Sequence, residues 1–272
     1  MNRPWLLRVV PPRARTALYY RFYRARRDRF KELYGNSALH FAPCVRMDLL
    51  PTDEGHSNIA FTGFYEFGLS EQIVRHALRG GLMIDAGANY GYFSLLWAAA
   101  APKNRVLAFE AAPGNQLALS RNVALNGFDS QIEIRKVALG KETGTLPFAP
   151  ATRGQTGWGT FSNVATETTI EAAVLPLDDC VSPSDEIELL KIDVEGADTW
   201  VLLGARKLLE NQRIKHIYFE HNKECMRLLG IRESEALDFL RGINYAVEPL
   251  NDPASEIVEY HAMPVADKKC QS

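Results

Sequence analysis

The 272-residue sequence predicts an α/β fold with a mostly parallel, doubly wound sheet covered by helices on both faces. Short apolar runs of strand length alternate with helix-forming segments from residue 80 to 241. A glycine-rich turn, Gly87–Gly91, follows the first apolar run and leads into a helix-forming stretch. The last two runs, 245–250 and 256–263, flank a turn that contains proline, and they predict a C-terminal antiparallel hairpin. In such a sheet, ligands bind at the carboxyl ends of the strands.

The predicted elements of the main domain, residues 80–265, follow from this alternation. The strands are expected at 82–85, 105–110, 131–137, 187–193 and 213–220, and the helices at 92–100, 115–126, 197–211 and 233–241. The alternation lapses between residues 140 and 182, where segments 143–148 and 168–175 predict an inserted β-ribbon. Its tip is rich in glycine, hydroxyl and aromatic side chains, so Trp158 is a candidate for substrate contact. An ordinary flexible ribbon is the alternative.

Residues 1–36 predict a basic and aromatic extension with a helix over 14–34. The first 32 residues carry ten basic and two acidic side chains, a charge of +8, which leaves −10 on the rest of the chain. One interpretation is a helix that packs on the domain and exposes a basic face. The sharper hypothesis is peripheral contact with an anionic membrane. Nucleic acid is not favoured as a partner, because one basic helix is weak evidence of a phosphate-binding surface.

Residues 37–79 are expected to lead into the main fold. Two short strands are predicted at 44–50 and 58–61, followed by a lid helix over 70–78 with Ser70 as its N-cap, and residues 266–272 form a tail. The sequence has no run of about 18 apolar residues and no apolar core of a secretion signal. Its four cysteines are scattered. A cytoplasmic location, peripheral at the membrane if the extension docks there, is therefore expected.

The glycine-rich turn does not fit a dinucleotide. Counting from Gly87, Asn89 and Tyr92 stand where the fingerprint for a pyrophosphate requires its second and third glycines. A ligand that carries a nucleoside and an amino acid without pyrophosphate fits better, which is the chemistry of S-adenosylmethionine. Asp85 is expected to orient or pair with the ammonium of that ligand, directly or through water. Gly87 allows close backbone approach, and Asn89 and Tyr90 lie in the same turn.

Two motifs carry a resemblance to a known family. The stretch Asp85-x-Gly-Ala-Asn-x-Gly-x-Phe-Ser94 resembles motif I of class I methyltransferases. Together with Leu190-Lys-Ile-Asp-Val-Glu-Gly-Ala197 it resembles the FkbM family of methyltransferases. The resemblance implies a Rossmann-like class I fold, S-adenosylmethionine as cofactor and S-adenosylhomocysteine as product. It also implies methyl transfer to a hydroxyl, that of a sugar in a glycoconjugate or natural product. The same resemblance places Ala138 against the adenine of the cofactor.

Acidic residues end several predicted strands. Glu110 ends the second strand, where a carboxylate can accept hydrogen bonds from both ribose hydroxyls. Lys191, Asp193 and Glu195 share one direction if the fourth strand continues that far, because alternate strand residues face one side. Asp193 is a candidate for cofactor binding and catalysis, and Lys191 and Glu195 for substrate contact. A structural ion pair is the alternative for Lys191.

Methyl transfer to a hydroxyl requires a group that removes the hydroxyl proton. Asp193, Glu220 and His221 are the candidates, and the sequence does not rank them. The same three side chains could form a divalent metal site. Because no ligand spacing is diagnostic, no metal is predicted. Two other functions stay open: methylation of RNA or of a nitrogen acceptor, and a non-catalytic, nucleoside-binding scaffold of the same fold.

Overall fold

The computed structural model describes residues 3–150, 157, 159–161, 169–182 and 184–265. The strands in chain order are β1 (Ser37–Ala38), β2 (Arg46–Met47), β3 (Leu82–Ala86), β4 (Arg105–Phe109), β5 (Ile132–Arg135), β6 (Ala138–Leu139), β7 (Gly144–Ala149), β8 (Thr160–Phe161), β9 (Ile170–Leu175), β10 (Ile187–Ile192), β11 (Ile214–Asn222), β12 (Tyr245–Pro249) and β13 (Ile257–Pro264). The α-helices are α1 (Trp5–Val9), α2 (Pro12–Leu18), α3 (Glu54–Thr62), α4 (Phe67–Ala77), α5 (Tyr92–Ala100), α6 (Pro113–Leu125), α7 (Asp198–Gly204), α8 (Arg206–Glu210), α9 (Lys223–Leu229) and α10 (Glu235–Gly242).

The central sheet has seven strands in the order β12-β13-β11-β10-β3-β4-β5. The pairs from β11 to β5 are parallel, whereas β13 runs antiparallel to both β11 and β12. All residues of β3 and β10 are buried, as expected for central parallel strands covered on both faces. The predicted α/β fold, with its mostly parallel sheet and C-terminal hairpin, is confirmed.

Alternate residues of the central strands build two apolar layers. Met83, Leu189 and Tyr218 belong to the layer under α4 and α5, whereas Ile84 and Leu190 belong to the layer under α7, α8 and α10. The inserted ribbon forms a second sheet in the order β6-β9-β7-β8, with β7 antiparallel to β9 as predicted. Trp158, most of the ribbon tip and the tail 266–272 lie outside the described residues.

The predicted continuous helix over 14–34 is wrong. After α2 the chain forms a π-helical turn at Tyr19–Tyr23 and a 3₁₀ segment at Arg24–Leu33. The rings of Tyr19 and Phe30 both lie against Phe61 of α3, at centroid distances of 5.1 and 5.4 Å. In a straight α-helix these two residues would be about 16 Å apart along the axis. Packing around one aromatic ring therefore outweighs the local preference for a regular helix.

The segment before β3 also differs from its prediction. Residues 58–61 belong to α3 and not to a strand, because Asp53 caps the helix by accepting from His56 N at 2.8 Å and Gly63 ends it in the left-handed region. The strand predicted at 44–50 shrinks to β2. Helix α4 begins at Phe67, so Ser70 is not a cap; its hydroxyl contacts Tyr92 Oη at 3.0 Å.

Two further differences lie in the second half. The helix predicted over 197–211 is divided into α7 and α8 at Ala205, and α9 was not predicted. Helix α9 has a clear capping signal, since the Asn222 side chain accepts from Cys225 N at 3.2 Å and Gly230 ends the helix. Among the described residues, no helix is both long and apolar enough to cross a membrane.

Candidate active site

The turn after β3 brings two strand ends into contact. Gly87 has a φ of +76°, and an added Cβ would overlap the carbonyl oxygen of Asp193, which follows β10. The amides of Gly87 and Ala88 both donate to Phe109 O, at 3.0 Å, which ties the turn to the end of β4 as well. Glycine at this position therefore lets the ends of β3, β4 and β10 meet at one rim of the sheet.

Glu110 follows β4 and fixes the next part of the rim. Its two carboxylate oxygens accept from the backbone amides of Asn89 and Ala112, each at 2.7 Å. Burial raises the pKa of Glu110, and these two amide donors partly offset the effect. The carboxylate borders a cavity of about 60 Å³ that is also lined by Gly87, Asn89, Ala138 and Asp193. The structure thus brings together five of the residues proposed for cofactor binding.

A larger cavity of about 230 Å³ joins the first. Gly87, Asn89 and Asp193 line both cavities, and Tyr90 lines the larger one, with its ring centroid 4.1 Å from that of His56. The Asn89 side-chain oxygen is buried and has no hydrogen-bond partner among the described residues. The two cavities form one cleft along the rim, with a buried acceptor atom available to a ligand.

Lys191 lies beneath this cleft and is 3% exposed. Its ammonium donates to Gly87 O at 3.2 Å and pairs with Asp193 at 3.3 Å and with Asp85 at 3.6 Å. Burial alone would lower the pKa of Lys191, but the carboxylates of Asp193 and Asp85 raise it above its usual range. Lys191 is therefore a buried cation that binds the turn at Gly87 and pairs with two acids.

Asp85 does not line any of the three rim cavities formed by the described residues. Its carboxylate is 1% exposed, accepts from Ser94 Oγ at 2.6 Å and faces Lys191. The expected direct pairing of Asp85 with a ligand ammonium is therefore not supported by this geometry, because the carboxylate is already neutralised by Lys191 below the cleft. Asp85 positions Lys191, and through it the turn.

A third, small cavity of about 20 Å³ is lined by four carboxylates together with Lys191 and Tyr218. The carboxylates are those of Glu66, Asp193, Glu220 and Glu259. Burial, with the charges of Asp193 and Asp198 added, raises the pKa of Glu220 to about 9. Burial and Asp193 likewise raise the pKa of Glu66 to about 8. Of the residues lining the three cavities, Asp193 alone lines all of them, so it lies at the junction between the cleft and this acid-lined pocket.

Glu66, Asp198 and Glu259 were not among the predicted site residues. Asp198 is 1% exposed and accepts from Glu220 N at 3.0 Å, so it holds the end of β11. Glu259 faces Glu220 across the β11–β13 pair. Glu66 has a φ of +40° and precedes α4. The hairpin that carries Glu259 was predicted, but its register with β11 was not, and that register decides which side chain meets Glu220.

In a continuing strand the side chains of Lys191, Asp193 and Glu195 would point in one direction. The strand does not continue as far as Glu195. Strand β10 ends at Ile192, and Glu195 has a left-handed φ of +52°. The Glu195 carboxylate accepts from Asn222 Nδ2 at 3.4 Å, although it still borders the larger cavity. Burial and the charge of Asp193 raise the pKa of Glu195 to about 8. The condition for a common direction, a strand that continues to Glu195, is therefore not met, although Lys191 still pairs with Asp193 and Glu195 borders the cleft.

His221 lies on the opposite face of β11 from Glu220. It is 1% exposed, and its ring packs against Tyr260 and Phe219 at centroid distances of 4.9 and 5.4 Å. Burial lowers the pKa of His221 to about 4. His221 lines none of the rim cavities that the described residues form, so Asp193, Glu220 and His221 do not converge on a metal site. The candidates for a base at the rim narrow to Asp193 and Glu220.

Comparison with known proteins identifies the family to which this chain belongs. Residues 85–233, more than half of the chain, match the family model described as the methyltransferase FkbM domain. The chain therefore carries a methyltransferase domain of a class that uses S-adenosylmethionine. It belongs to the FkbM methyltransferase family, which confirms the resemblance seen in the two sequence motifs.

Three relatives illustrate the similarity. Methyltransferase sdnD of Sordaria araneosa is 45% identical over 65 residues, which cover 24% of this chain and 25% of that one, so the chain spans about a quarter of that relative. The crystal structure of methyltransferase FkbM from Methylobacillus flagellatus is 16% identical, with a TM-score of 0.47, over 91% of this chain and 60% of that chain. A putative tRNA (m1A22) methyltransferase from Streptococcus pneumoniae, in complex with S-adenosyl-L-methionine, is 14% identical, with a TM-score of 0.41, over 72% of each chain.

The cleft fits S-adenosylmethionine, which supplies an activated methyl group on a sulfonium centre. Glu110 offers a buried carboxylate for the ribose hydroxyls, since each oxygen keeps a lone pair beyond its amide bond. Gly87 lets the turn approach the Asp193 carbonyl closely, and the Asn89 side-chain oxygen has no hydrogen-bond partner within the described part of the chain. Ala138 adds an apolar wall near Glu110.

Proposed function

We propose that this methyltransferase acts on a hydroxyl oxygen of a saccharide, in a glycoconjugate or a natural product. The position of Asp193 is the observation that supports this proposal best. Its carboxylate lies between the cleft suited to the cofactor and the acid-lined pocket next to it. An acceptor held in that pocket would therefore meet a carboxylate at the point where it reaches the cofactor.

The acid-lined pocket suits one hydroxyl group of a polyhydroxyl acceptor, because its volume of about 20 Å³ holds a group of that size and not a sugar ring. A hydroxyl is a weak nucleophile until its proton is removed, and Asp193 is placed to take that proton. Glu220 and Glu66, whose pKa values are raised to about 9 and about 8 by burial and neighbouring acids, hold their protons near neutral pH and can donate hydrogen bonds. Hydrogen-bond donors and acceptors therefore lie side by side, which suits a sugar hydroxyl because it can both donate and accept.

The same pocket disfavours RNA. The carboxylates of Asp193 and Glu259 would repel a phosphate backbone, which basic side chains normally bind. Several of the N-terminal arginines are also engaged within the protein. Arg24 and Arg27 both pair with Glu54, at 3.1 and 2.7 Å, and Arg3 donates to Ala60 O at 2.9 Å. A cationic nitrogen acceptor is the alternative that the acids leave open.

Methyl-labelled S-adenosylmethionine tests the proposal against separated acceptor fractions: neutral saccharides and glycolipids, RNA, and amines. We expect label in the saccharide fraction, with a loss of about 100-fold or more in Asp193→Asn. Asp129→Asn, a change at an exposed carboxylate far from the rim, is the matched control. Calorimetry with S-adenosylhomocysteine separates lost chemistry from lost cofactor binding. Label confined to RNA or to amines would overturn the acceptor class.

We propose that Asp193 is the base, that Glu220 orients the acceptor and that Lys191 and Glu195 flank it. Glu110, Gly87, Asn89, Tyr90 and Ala138 would hold the cofactor. Glu220→Gln provides a comparison, because an amide can still orient a hydroxyl by hydrogen bonding. Under this assignment Glu220→Gln lowers the rate less than Asp193→Asn does. The reverse order would exchange the two roles.

We propose in addition that the N-terminal segment contacts an anionic membrane from the cytoplasmic side. Trp5 and Phe22 are 67% and 51% exposed, and exposed arginines such as Arg8 and Arg21 lie near them in the chain. Aromatic and basic side chains together favour the surface of an anionic bilayer. Trp5→Ser with Phe22→Ser should weaken sedimentation with anionic vesicles and leave the packed Tyr19 untouched. Equal binding to neutral vesicles would contradict the proposal.

A further inference from the structure

Three histidines meet on the sheet face that carries α4. His76 projects from α4, His216 from β11 and His261 from β13, and one ring nitrogen from each lies within 4.8 Å of the others. The strand register pairs Tyr218 with His261, so the histidine cluster lies farther from the carboxyl ends of the strands than the rim does. Methyl transfer as derived above does not use these side chains.

The cluster contains an unpaired buried atom. His216 Nδ1 and His261 Nε2 are 3.1 Å apart, and His76 Nε2 is 3.1 Å from Tyr218 Oη. His76 is 5% exposed, and its Nδ1 has no hydrogen-bond partner in the part of the chain that the structure describes. A buried polar atom without a partner is rare, because leaving it unpaired costs free energy. A ligand that accepts a nitrogen lone pair would remove this cost.

The spacing of one histidine pair matches that of two ligands on a metal ion, and His76 would have to move towards it, since its ring now lies against His216 at a centroid distance of 3.9 Å. Two nitrogens bound to one tetrahedral zinc ion, with bonds of about 2.0–2.1 Å, lie about 3.3 Å apart, close to the His216–His261 spacing. Closing the widest pair from 4.8 Å requires at most about 1.5 Å of side-chain movement. If His76 Nδ1 binds the ion, its Nε2 carries the proton and donates to Tyr218 Oη. Histidine ligands usually fix their second nitrogen in this way.

The protonation state also suits a metal. Burial, with neighbouring positive groups, lowers the pKa of His76 to about 3, and burial lowers that of His261 to about 4 and that of His216. All three are therefore neutral near pH 7, which is the form that binds metal. Arg75 and Arg79 add positive charge near His76, and Glu188 opposes it on the side of His216.

We propose that His76, His216 and His261 bind a divalent transition-metal ion, with Zn²⁺ as the expected ion, and that this ion fastens α4 to β11 and β13. Three neutral imidazoles without a carboxylate ligand favour such an ion over Mg²⁺ or Ca²⁺, which prefer oxygen ligands. Helix α4 begins one residue after Glu66, and Tyr218 lines the same pocket as Glu66. The ion would thus fix one wall of the acid-lined pocket from behind. It acts structurally and takes no part in methyl transfer.

The test uses the full chain, freed of metal with a chelator and then dialysed against Zn²⁺. We expect one bound Zn²⁺ per chain by elemental analysis and a rise in Tm of roughly 5–10 °C at a hundredfold excess over Kd. His216→Gln and His261→Gln should lose both effects. His40→Gln is the control, because His40 stacks on Phe67 at the start of α4 but lies outside the cluster.

Two measurements distinguish loss of the metal site from loss of folding. Far-UV circular dichroism of the metal-free variants establishes that they fold, and the visible absorption of bound Co²⁺ reports nitrogen ligands directly. Wild-type protein that binds no Zn²⁺ would overturn the proposal. So would Zn²⁺ that stays bound, with an unchanged rise in Tm, in both the His216 and His261 variants, since the ion would then lie elsewhere. None of these readouts depends on methyl transfer.

Discussion

Lys191→Met tests the central electrostatic feature of the rim. Lys191 is 3% exposed, and Asp85, which is 1% exposed, has the ammonium of Lys191 as its countercharge at 3.6 Å. Removing one partner of a buried pair leaves an uncompensated charge and costs about 3–5 kcal/mol. A domain is stable by only about 5–15 kcal/mol, so this is a large fraction of the total. Arg227→Met is the matched control, because Arg227 pairs with Glu256 at 3.1 Å and both side chains are exposed, by 57% and 73%. Such a pair contributes about 0–1 kcal/mol.

Urea unfolding followed by far-UV circular dichroism measures the difference. With a slope near 3 kcal/mol per molar urea, Lys191→Met should lower the midpoint by about 1–2 M, and Arg227→Met by no more than about 0.3 M. Adding Asp85→Asn to Lys191→Met should recover part of the loss, because the unpaired charge is then gone while an oxygen remains for Ser94. Equal shifts for Lys191→Met and Arg227→Met would refute the reasoning, as would a full further loss in the double variant.

Two other predictions follow from the rim. Gly87→Ala should weaken binding of S-adenosylhomocysteine about tenfold or more by calorimetry, because the left-handed φ and the Asp193 carbonyl both oppose a side chain. Gly114→Ala is the control and should bind normally, since nothing lies within 4 Å of its added Cβ. Unchanged affinity in Gly87→Ala would contradict this reasoning. Burial and nearby acids raise the pKa of Glu220 from 4.5 to about 9, so the stability that it contributes is complete below pH 4.5 and is lost as the pH rises towards 9. The Tm of Glu220→Gln should therefore fall less between pH 5 and pH 9 than that of the wild type or of Glu248→Gln, and parallel curves for all three would rule the effect out.

The central sheet could be predicted because its signals are local. Strands β3 and β10 are buried on both faces and are mostly apolar, and the turn that follows β3 is marked by its own glycines, Gly87 and Gly91. Glu110 was placed correctly at the end of β4, since strand ends of a parallel sheet meet at one rim. These features depend on a few consecutive residues each.

The rest depends on partners that are distant in sequence. The aromatic extension bends around Phe61, which lies more than 30 positions after Phe30 and Tyr19. Its own sequence favours a helix, and only the partner shows why the chain departs from one. The register of β13 against β11 likewise determines that Glu259 meets Glu220 and that His261 reaches His216. Neither pairing has a signal within a single segment.

The alternation of side-chain direction along a strand is the sequence signal that puts His221 and Glu220 on opposite faces of the sheet. Successive residues of β11 face opposite sides, so Glu220 and His221 could not both face the rim within a regular strand. Since Tyr218 and Lys191 are register partners and line the pocket, Glu220 follows Tyr218 onto that face, and His221 falls among Phe219 and Tyr260. An ordinary histidine has a pKa near roughly 6.5, which suits a base, but burial on the far face removes His221 from the rim.

The charge of the rim bears on the proposed chemistry. Near pH 7, burial and mutual repulsion keep protons on Glu66, Glu195 and Glu220, whose pKa values are about 8, 8 and 9. Lys191 then balances one of the two carboxylates with which it pairs, those of Asp85 and Asp193. Asp85 is sealed below the cleft, so the carboxylates that an acceptor can reach are those of Asp193 and Glu259, and of these two Asp193 borders the cofactor cleft. A hydroxyl entering the pocket would therefore meet protonated carboxyls that donate to its neighbours and one carboxylate able to take its proton, at the side chain that borders the cofactor cleft.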